Sequence, residues 1–201
     1  MSNKCHPEIV ALPDVQETSD DPCDIGTNPS VLGEVVGEMK WPVNLSLVED
    51  GWSVKALGTR YSPEHCAIAA RARDARIFIR QKIRKLIEEG DKNPQVALVT
   101  HGSFLHYFTE DWEDSWLNHG TGWRNCETRT YTFKHDVMDD TDMEASLTET
   151  MDSRLGRGKS DHMPTGEEQV VLFEQAMDNW EKQGLQRPDR IGLGHKTSVL
   201  D

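Results

Sequence analysis

The chain has 201 residues, which is enough for one domain with a substantial buried core. Its 35 acidic residues outnumber its 22 basic residues and give a net charge of -13. This charge argues against general nucleic-acid binding, which requires a basic surface, and no apolar stretch approaches the ~18 residues of a membrane span.

Cysteine usage and the first residues predict the compartment. The N-terminal segment MSNKCHPEIV has no apolar core of the kind that a secretory signal contains. The cysteines are far apart and form neither a Cys-x-x-Cys pair nor a zinc-ligand pattern. We therefore expect reduced thiols in a cytoplasmic protein, with no metal site and no cofactor. The four cysteines are Cys5, Cys23, Cys66 and Cys126.

The first third of the chain predicts a strand, a loop and a short helix. Residues 8–12 (EIVAL) form an apolar run that Pro13 stops, which is typical of a buried strand. A polar loop follows over residues 14–27. Asn28-Pro29 combines a helix-capping residue with a proline at the first helical position, and Trp41-Pro42 ends the helix.

Residues 64–89 give the clearest helical pattern. Apolar residues recur at spacings of three and four, which predicts one buried stripe, while the arginines and lysines between them predict a solvated face. The helix leads through a Gly-Asp-Lys-Asn-Pro turn into an apolar strand at residues 96–99. Such a helix and strand form half of a crossover unit, so we predict an α/β fold. The stripe consists of Ile68, Ala72, Ala75, Ile79, Ile83 and Leu86.

The remaining segments predict a core that is completed by a C-terminal helix. A tryptophan-rich loop at residues 112–123 precedes an alternating strand at residues 127–133. Residues 136–152 are rich in acids and contain no Lys or Arg, which predicts a solvated or disordered loop. Thr165 and Glu168 form a capping box for a last helix. We expect a core at residues 1–135, an acidic flexible loop at 136–164, the docking helix at 165–185 and an irregular tail at 186–201.

His101 is the first candidate functional residue. It lies in a Thr-His-Gly turn between the apolar run at residues 96–99 and a helix that begins near Ser103. This places an imidazole at the carboxyl end of a strand, beside the free N–H groups of a helix start, where anions such as phosphate are favoured. The alternative is a hydrogen-bonded core histidine without a functional role.

Three segments, in this order, resemble the histidine phosphatase (phosphoglycerate mutase-like) superfamily, and most closely its fungal branch. Residues 12–26 (LPDVQETSDDPCDIG) are similar to the segment that bears the family's acid. Residues 101–114 (HGSFLHYFTEDWED) resemble its second-histidine motif, and residues 122–133 resemble the strand that follows. The similarity covers roughly residues 6–135.

The resemblance implies a three-layer α/β fold, a central sheet with flanking helices, and a phosphomonoester hydrolase that works through a phosphohistidine. His101 would be the second histidine, and Glu17 would be the acid that protonates the leaving group. Gly102 and Ser103 would offer backbone N–H groups to the phosphate oxygens. Glu17 is otherwise a glutamate in an acidic loop, and such a residue is ordinarily just solvated.

The chain departs from the family at its start. It contains no Arg-His dipeptide, whereas the family carries its nucleophilic histidine in an N-terminal Arg-His-Gly motif. We expect this strand and helix unit, with its phosphate-binding arginines, to be missing, and we expect negligible phosphatase turnover. Arg124 is a candidate replacement for the lost arginines. Trp112 and Trp123 either wall a pocket for an apolar or aromatic substrate or form core under the loop.

Three functions remain open at this point. The first is the family's phosphomonoester hydrolase with part of its site absent. The second is a repurposed acid/base enzyme (an isomerase, lyase or hydrolase) that acts on a small molecule through His101 and Glu17. The third is a non-catalytic protein that forms a homo-oligomer through an exposed sheet edge. The expected partner is a small-molecule substrate, either a phosphate ester or an apolar metabolite, rather than a nucleic acid or a membrane.

Overall fold

The computed structural model describes residues 8–116 and 120–192. Within these residues, helices and short strands alternate in a mixed α/β structure. The helices are α1 (Pro29–Met39), α2 (His65–Glu88), α3 (Gly102–Thr109), α4 (Met151–Gly156) and α5 (Gly166–Lys182). The strands are β1 (Ile9–Val10), β2 (Val43–Asn44), β3 (Tyr131–Phe133) and β4 (Leu147–Glu149).

The strands form two small sheets among the described residues. β1 and β2 are parallel, with Ile9 opposite Val43. β3 and β4 are antiparallel, with Thr132 opposite Thr148. The strand predicted over residues 8–12 is shorter than expected. The N–H of Ala11 still donates to the carbonyl of Asn44 at 3.0 Å, but the pairing ends there because a 3-10 turn begins at Pro13.

Residues 96–99 form no strand, so the prediction of a buried strand there was wrong. None of the backbone hydrogen bonds between described residues involves this segment. The Val99 side chain is 91% exposed. A strand requires a neighbour for its N–H and C=O groups, and none of the described strands pairs with this segment. Leu98 still packs against the core, so the segment is anchored on one side.

Local sequence determines both ends of α1, as predicted. The side chain of Asn28 accepts a hydrogen bond of 3.0 Å from the N–H of Ser30, and Pro29 occupies the first position. At the other end, Lys40 adopts the left-handed conformation (φ 52°) before Trp41 and Pro42. A left-handed residue after the last turn satisfies the free carbonyls and stops the helix.

The structure confirms the predicted helix as α2, but part of the face that was predicted to be solvated is buried. Ile68, Ala72 and Ala75 are fully buried, as the apolar stripe predicted. Three arginines expected on a solvated face are also buried, because they fall on or beside this stripe and donate to backbone carbonyls of neighbouring segments. These are Arg71, Arg76 and Arg80, which are 0%, 3% and 5% exposed.

The main core lies where α3 and α5 meet α2. Aromatic side chains from α3 and the following loop fill the space between the helices. Such large rings supply much of the buried apolar area that stabilises a small domain. The core consists of Ile68, Ala72, Ala75, Phe104, Tyr107, Phe108, Trp112, Leu147, Ala176, Met177 and Trp180.

The acidic segment is more structured than predicted, because it contains β4 and α4. Its acids are bound by α2. Arg80 Nη1 donates to the carbonyl of Asp142 at 2.7 Å, and Arg84 Nη1 donates to a carboxylate oxygen of Asp140 at 2.6 Å. The prediction of a solvated or disordered loop was therefore wrong for β4 and α4. The sequence predicts a solvated run of acids because the arginines that neutralise these acids are far away along the chain.

α5 confirms the predicted capping box and docking face. The hydroxyl of Thr165 accepts from the N–H of Glu168, while the Glu168 carboxylate accepts from the N–H of Thr165. Ala176, Met177 and Trp180 are buried on the inner face. The predicted irregular tail includes a 3-10 turn at Pro188–Arg190, and residues 193–201 of it lie outside the described part.

None of the helices in the described residues is both long and apolar enough to cross a membrane. Cys23, Cys66 and Cys126 are free, exposed thiols. Cys5 lies outside the described residues.

Candidate functional site

His101 stands at the start of α3, where the sequence placed it. It is the N-cap residue, with extended backbone angles (φ -114°, ψ 153°), and its carbonyl accepts the first helical hydrogen bond from Leu105 at 3.0 Å. Its side chain is 52% exposed. The backbone N–H groups of Gly102 and Ser103, in the first turn, have no helical acceptor. An imidazole and free N–H groups therefore share one end of the helix.

Glu17 faces His101 from the loop that follows β1. One carboxylate oxygen, Oε1, accepts from the N–H of Thr18 at 2.7 Å and from the hydroxyl of Ser103. The other oxygen, Oε2, lies 3.7 Å from Nδ1 of His101. That distance is too long for a hydrogen bond. One oxygen is thus held by the protein, and the other accepts no hydrogen bond from the described residues.

Ser103 and Thr100 join the two halves of this site. The hydroxyl of Thr18 donates to Ser103 Oγ at 3.0 Å, and the hydroxyl of Thr100 donates to the backbone carbonyl of Val15. The residues immediately before and after His101-Gly102 are therefore bonded to the segment that carries Glu17. The hydroxyl of Ser103 is engaged by Glu17, so its role is to orient the carboxylate rather than to attack a substrate.

Both candidate side chains line a cleft of about 370 Å³. Trp52 forms one wall, and its indole N–H donates to the carbonyl of Thr27 at 3.0 Å. Its ring lies so close to Gly26 that a Cβ at that position would overlap it. The cleft is lined by Ala11, Leu12, Val15, Gln16, Glu17, Cys23, Asp24, Ile25, Gly26, Trp52, Val99 and His101.

Arg71 of α2 holds the backbone of the loop that carries Glu17. Its Nη1 donates to the carbonyls of Asp14 and Gln16 at 2.6 and 2.7 Å, and its Nη2 donates to the carbonyl of Glu17 at 3.2 Å. The guanidinium also lies over the ring of Phe104, 4.6 Å from its centre. Burial lowers the pKa of Arg71 to about 10, so the group remains cationic at neutral pH.

Sequence reasoning missed two supporting residues, Arg71 and Lys55. Lys55 is 5% exposed and donates to backbone carbonyls of the Glu17 loop. The sequence contains a feature that points to each of these two residues. Arg71 lies three residues after Ile68 in the register of the apolar stripe, and Lys55 is the one charged residue of the turn at 51–59 (GWSVKALGT).

The structure brings four of the candidate residues together and places the others elsewhere. His101, Glu17, Gly102 and Ser103 meet at the start of α3. Trp112 is 8% exposed and lies in the core, with its ring stacked on His106 at 5.2 Å. Trp112 is therefore a core residue, which is one of the two alternatives that the sequence left open.

The other two candidates, Trp123 and Arg124, do not line the cleft. Trp123 packs against the start of α3 and holds the guanidinium of Arg129 over its ring, 3.6 Å from the ring centre. Arg124 is exposed, and its backbone N–H donates to the Glu127 carboxylate at 3.0 Å. No group of three or more His, Cys, Asp or Glu side chains in the described residues is arranged to hold a metal ion.

Gly102 provides a test of the close packing at this site. A Cβ on Gly102 would overlap the hydroxyl of Thr121 and contact Trp123. We expect Gly102→Ala to lower the free energy of unfolding by about 1–3 kcal/mol, because the crowded neighbours must shift. Urea denaturation measures this change. The matched control is Gly33→Ala in α1, where a Cβ meets nothing within 4 Å and alanine should stabilise the helix by about 1 kcal/mol. Equal effects of the two substitutions would contradict the packing argument.

The site therefore combines an exposed imidazole, a partly buried carboxylate with one free oxygen, and the N–H groups of a helix start, all beside a cleft. These groups can transfer a proton and hold an anion. Comparison with protein-family models, with curated proteins and with solved structures finds no match for this chain.

Proposed function

We propose that this chain is a histidine phosphatase-like domain that binds the phosphoryl group of a phosphomonoester beside His101. The observation that carries the proposal is the pairing of His101 and Glu17 across 3.7 Å at the N-terminus of α3, inside a cleft. The resemblance assigns the second-histidine and acid roles to these two residues. The proposal includes a phosphoglycerate mutase-like arrangement of the α/β fold.

Each group has a distinct role in the proposed site. The imidazolium of His101 and the N–H groups of Gly102 and Ser103 neutralise the non-bridging phosphate oxygens, on which negative charge accumulates. Glu17, when protonated on Oε2, donates a hydrogen bond to the ester oxygen of the bound phosphomonoester. Oε1 stays bonded to Thr18 and Ser103 throughout, so the carboxyl group keeps its orientation.

The residues present support binding rather than turnover. The sequence contains no Arg-His dipeptide, so the phosphohistidine step is not assigned to any residue of this chain. We accordingly expect negligible hydrolysis of p-nitrophenyl phosphate by the chain alone. Hydrolysis that His101→Ala abolishes would falsify this expectation.

Titration with inorganic phosphate tests the binding function directly. The ring signals of His101 in a ¹H–¹³C NMR spectrum should shift along a saturable curve. His101→Ala should weaken phosphate binding by about tenfold or more, because a charge-assisted hydrogen bond is lost. The control is His162→Ala, since the His162 side chain is 88% exposed. Absence of saturable binding to the unmodified chain would refute the proposed function.

Glu17→Gln provides a second test of phosphate binding. The amide oxygen can still accept from Thr18 and Ser103, but the negative charge that opposes an anion is removed. We expect phosphate to bind several times more tightly to this variant than to the unmodified chain. Weaker binding would show that the carboxylate does not face the bound anion. A neutral substrate of a repurposed acid/base enzyme would instead leave phosphate binding absent in every variant.

The exposed segment at residues 96–99 favours a second candidate function, self-association. This apolar segment has no backbone partner among the described residues, and Val99 is 91% exposed. It contains no charged residue, so two copies can approach there despite the net charge of -13. An unpaired apolar edge is a template for strand pairing. We propose that a second copy of the chain pairs with this segment.

Sedimentation velocity of the unmodified chain and of Val99→Lys tests this second function. We expect a dimer for the unmodified chain and a monomer for the variant, because a charge at the edge prevents pairing. Val31→Lys is the control, since Val31 is also an exposed valine, 46% accessible, but lies on α1. A monomeric unmodified chain at high concentration would rule this function out.

A further inference from the structure

Lys55 has an unusual environment for a lysine. Its side chain lies in the turn before α2 and is almost fully buried, with 5% exposure. The ammonium group donates to three backbone carbonyls, those of Glu17 at 2.8 Å, Ser19 at 2.5 Å and Asp24 at 2.8 Å. All three ammonium protons are therefore used within one loop.

The three carbonyls belong to the segment that forms the acid side of the cleft. Glu17 begins this segment, and Cys23 and Asp24 line the cleft at its other end. A single ammonium group that bonds to both ends holds the loop closed. Without it, the carbonyls of Ser19 and Asp24 would lose this donor and the carbonyl of Glu17 would keep only Arg71. Loop residues gain conformational freedom when such bonds are lost.

Two cations from different parts of the fold meet at the carbonyl of Glu17. Lys55 donates to it at 2.8 Å, and Arg71 donates to it at 3.2 Å. The pKa of Lys55 is lowered chiefly by burial and then by the positive charge of Arg71, while Asp24, Glu17 and Asp20 oppose this shift. Both groups donate to the same backbone carbonyl, while Glu17, Asp20 and Asp24 supply the nearby negative charge.

These two buried cations supply local positive charge, which the overall composition lacks. A chain with a net charge of -13 repels anions at long range. Two buried cations behind the Glu17 loop offset part of the negative charge there, and low dielectric around them strengthens their effect. The cleft beside Glu17 and His101 can then favour an anion despite the acidic surface.

We propose that Lys55 is a positioning residue of the Glu17–His101 site, which both fixes the loop from Glu17 to Asp24 and contributes positive charge behind the bound phosphoryl group. The charge part of this inference rests on the proposed phosphate-binding function. The loop part does not, because it concerns the orientation of Glu17 in the unliganded protein. The two parts therefore have separate readouts.

Lys55→Met, with Lys159→Met as the matched control, tests the inference. Both substitutions remove one positive charge, but Lys159 bonds to Asp114 at 2.5 Å near α4. We expect Lys55→Met to weaken inorganic phosphate binding by about tenfold and to speed hydrogen exchange of the Thr18 N–H, which donates to Glu17. Lys159→Met should leave both measurements close to those of the unmodified chain. Equal behaviour of the two variants would overturn the proposal.

If Lys55→Met does not fold, measurements on Lys55→Arg and on the unmodified chain still test the proposal. Arginine retains the charge and can bond to some of the carbonyls, so it should restore most of the phosphate affinity and the shifts of the His101 ring. In the unmodified chain, the ammonium protons of Lys55 should give a slowly exchanging NMR signal with cross-peaks to residues 17–24. A rapidly exchanging ammonium group would overturn the loop part. Failure of the unmodified chain to bind phosphate would refute the proposed function while the exchange data still decide the role of Lys55 in the loop.

Discussion

Replacement of Arg71 with methionine is expected to lower the free energy of unfolding by about 3–5 kcal/mol. The guanidinium is fully buried, and it is the donor to the backbone carbonyls of Asp14, Gln16 and Glu17. Methionine fills much of the volume but donates no hydrogen bond, so the carbonyls of Asp14 and Gln16 lose this donor and the carbonyl of Glu17 keeps only Lys55. Urea denaturation monitored by tryptophan fluorescence measures the loss.

Arg73→Met is the control for this prediction. Arg73 lies on the same helix, but its side chain is 44% exposed and makes only long ion pairs with Asp74 and Glu144. We expect a change of at most about 0.5 kcal/mol, the usual result for a surface residue. If Arg71→Met were as mild as Arg73→Met, the buried hydrogen bonds of Arg71 would not be what holds the Glu17 loop.

Replacement of His106 with phenylalanine is expected to cost about 1–3 kcal/mol at neutral pH, because a buried carbonyl loses its hydrogen-bond donor. His106 is fully buried, with Nδ1 2.6 Å from the carbonyl of Asp111 and Nε2 2.5 Å from the carbonyl of Thr121. Its ring also stacks on Trp112. Phenylalanine preserves the stacking, so the loss reports the polar contacts.

The same residue makes stability depend on pH. Burial lowers the pKa of His106, an effect that the two carbonyls and Asp111 oppose and that Arg129 reinforces. The unfolded chain, with a histidine pKa of about 6.5, then binds a proton more strongly than the folded protein does. The favourable contribution is complete above pH ~6.5 and is lost as the pH falls from there toward the lower folded pKa.

The difference between the unmodified chain and His106→Phe isolates this effect from that of other histidines. His65 shifts in the same direction because it is also partly buried, and it is present in both proteins. We expect the gap in unfolding free energy between the two proteins to narrow as the pH falls below about 6.5. A constant gap between pH 7.5 and pH 5 would show that the pKa of His106 is the same in the folded and the unfolded protein.

The electrostatics of the site and of the core follow one rule. Arg71, Arg76 and Lys55 are buried cations whose donors meet backbone carbonyls of distant segments. Carbonyls that end a strand or form a loop have no ladder partner and require a donor when they are buried. The cations supply it and thereby connect α2 and the preceding turn to the Glu17 loop and to the acidic segment.

The local sequence was sufficient to predict α1, α2 and α5, whereas α4 was missed. Asn28-Pro29, the apolar stripe of α2 and the capping box at Thr165 each act over a few residues, so the same bonds form wherever the helix is placed. The position of His101 at a helix start was predictable for the same reason. These features depend on backbone groups within one or two turns of the chain.

Only the tertiary structure decided which strands pair, which arginines are buried and how Glu17 is held. Residues 96–99 have the composition of a strand but no partner ladder, and a strand cannot form without one. Arg71 and Lys55 became supports of the site because particular carbonyls lie opposite them after folding. Sequence spacing determines which face of a helix a residue occupies, whereas the groups that meet that face come from chain segments tens of residues away.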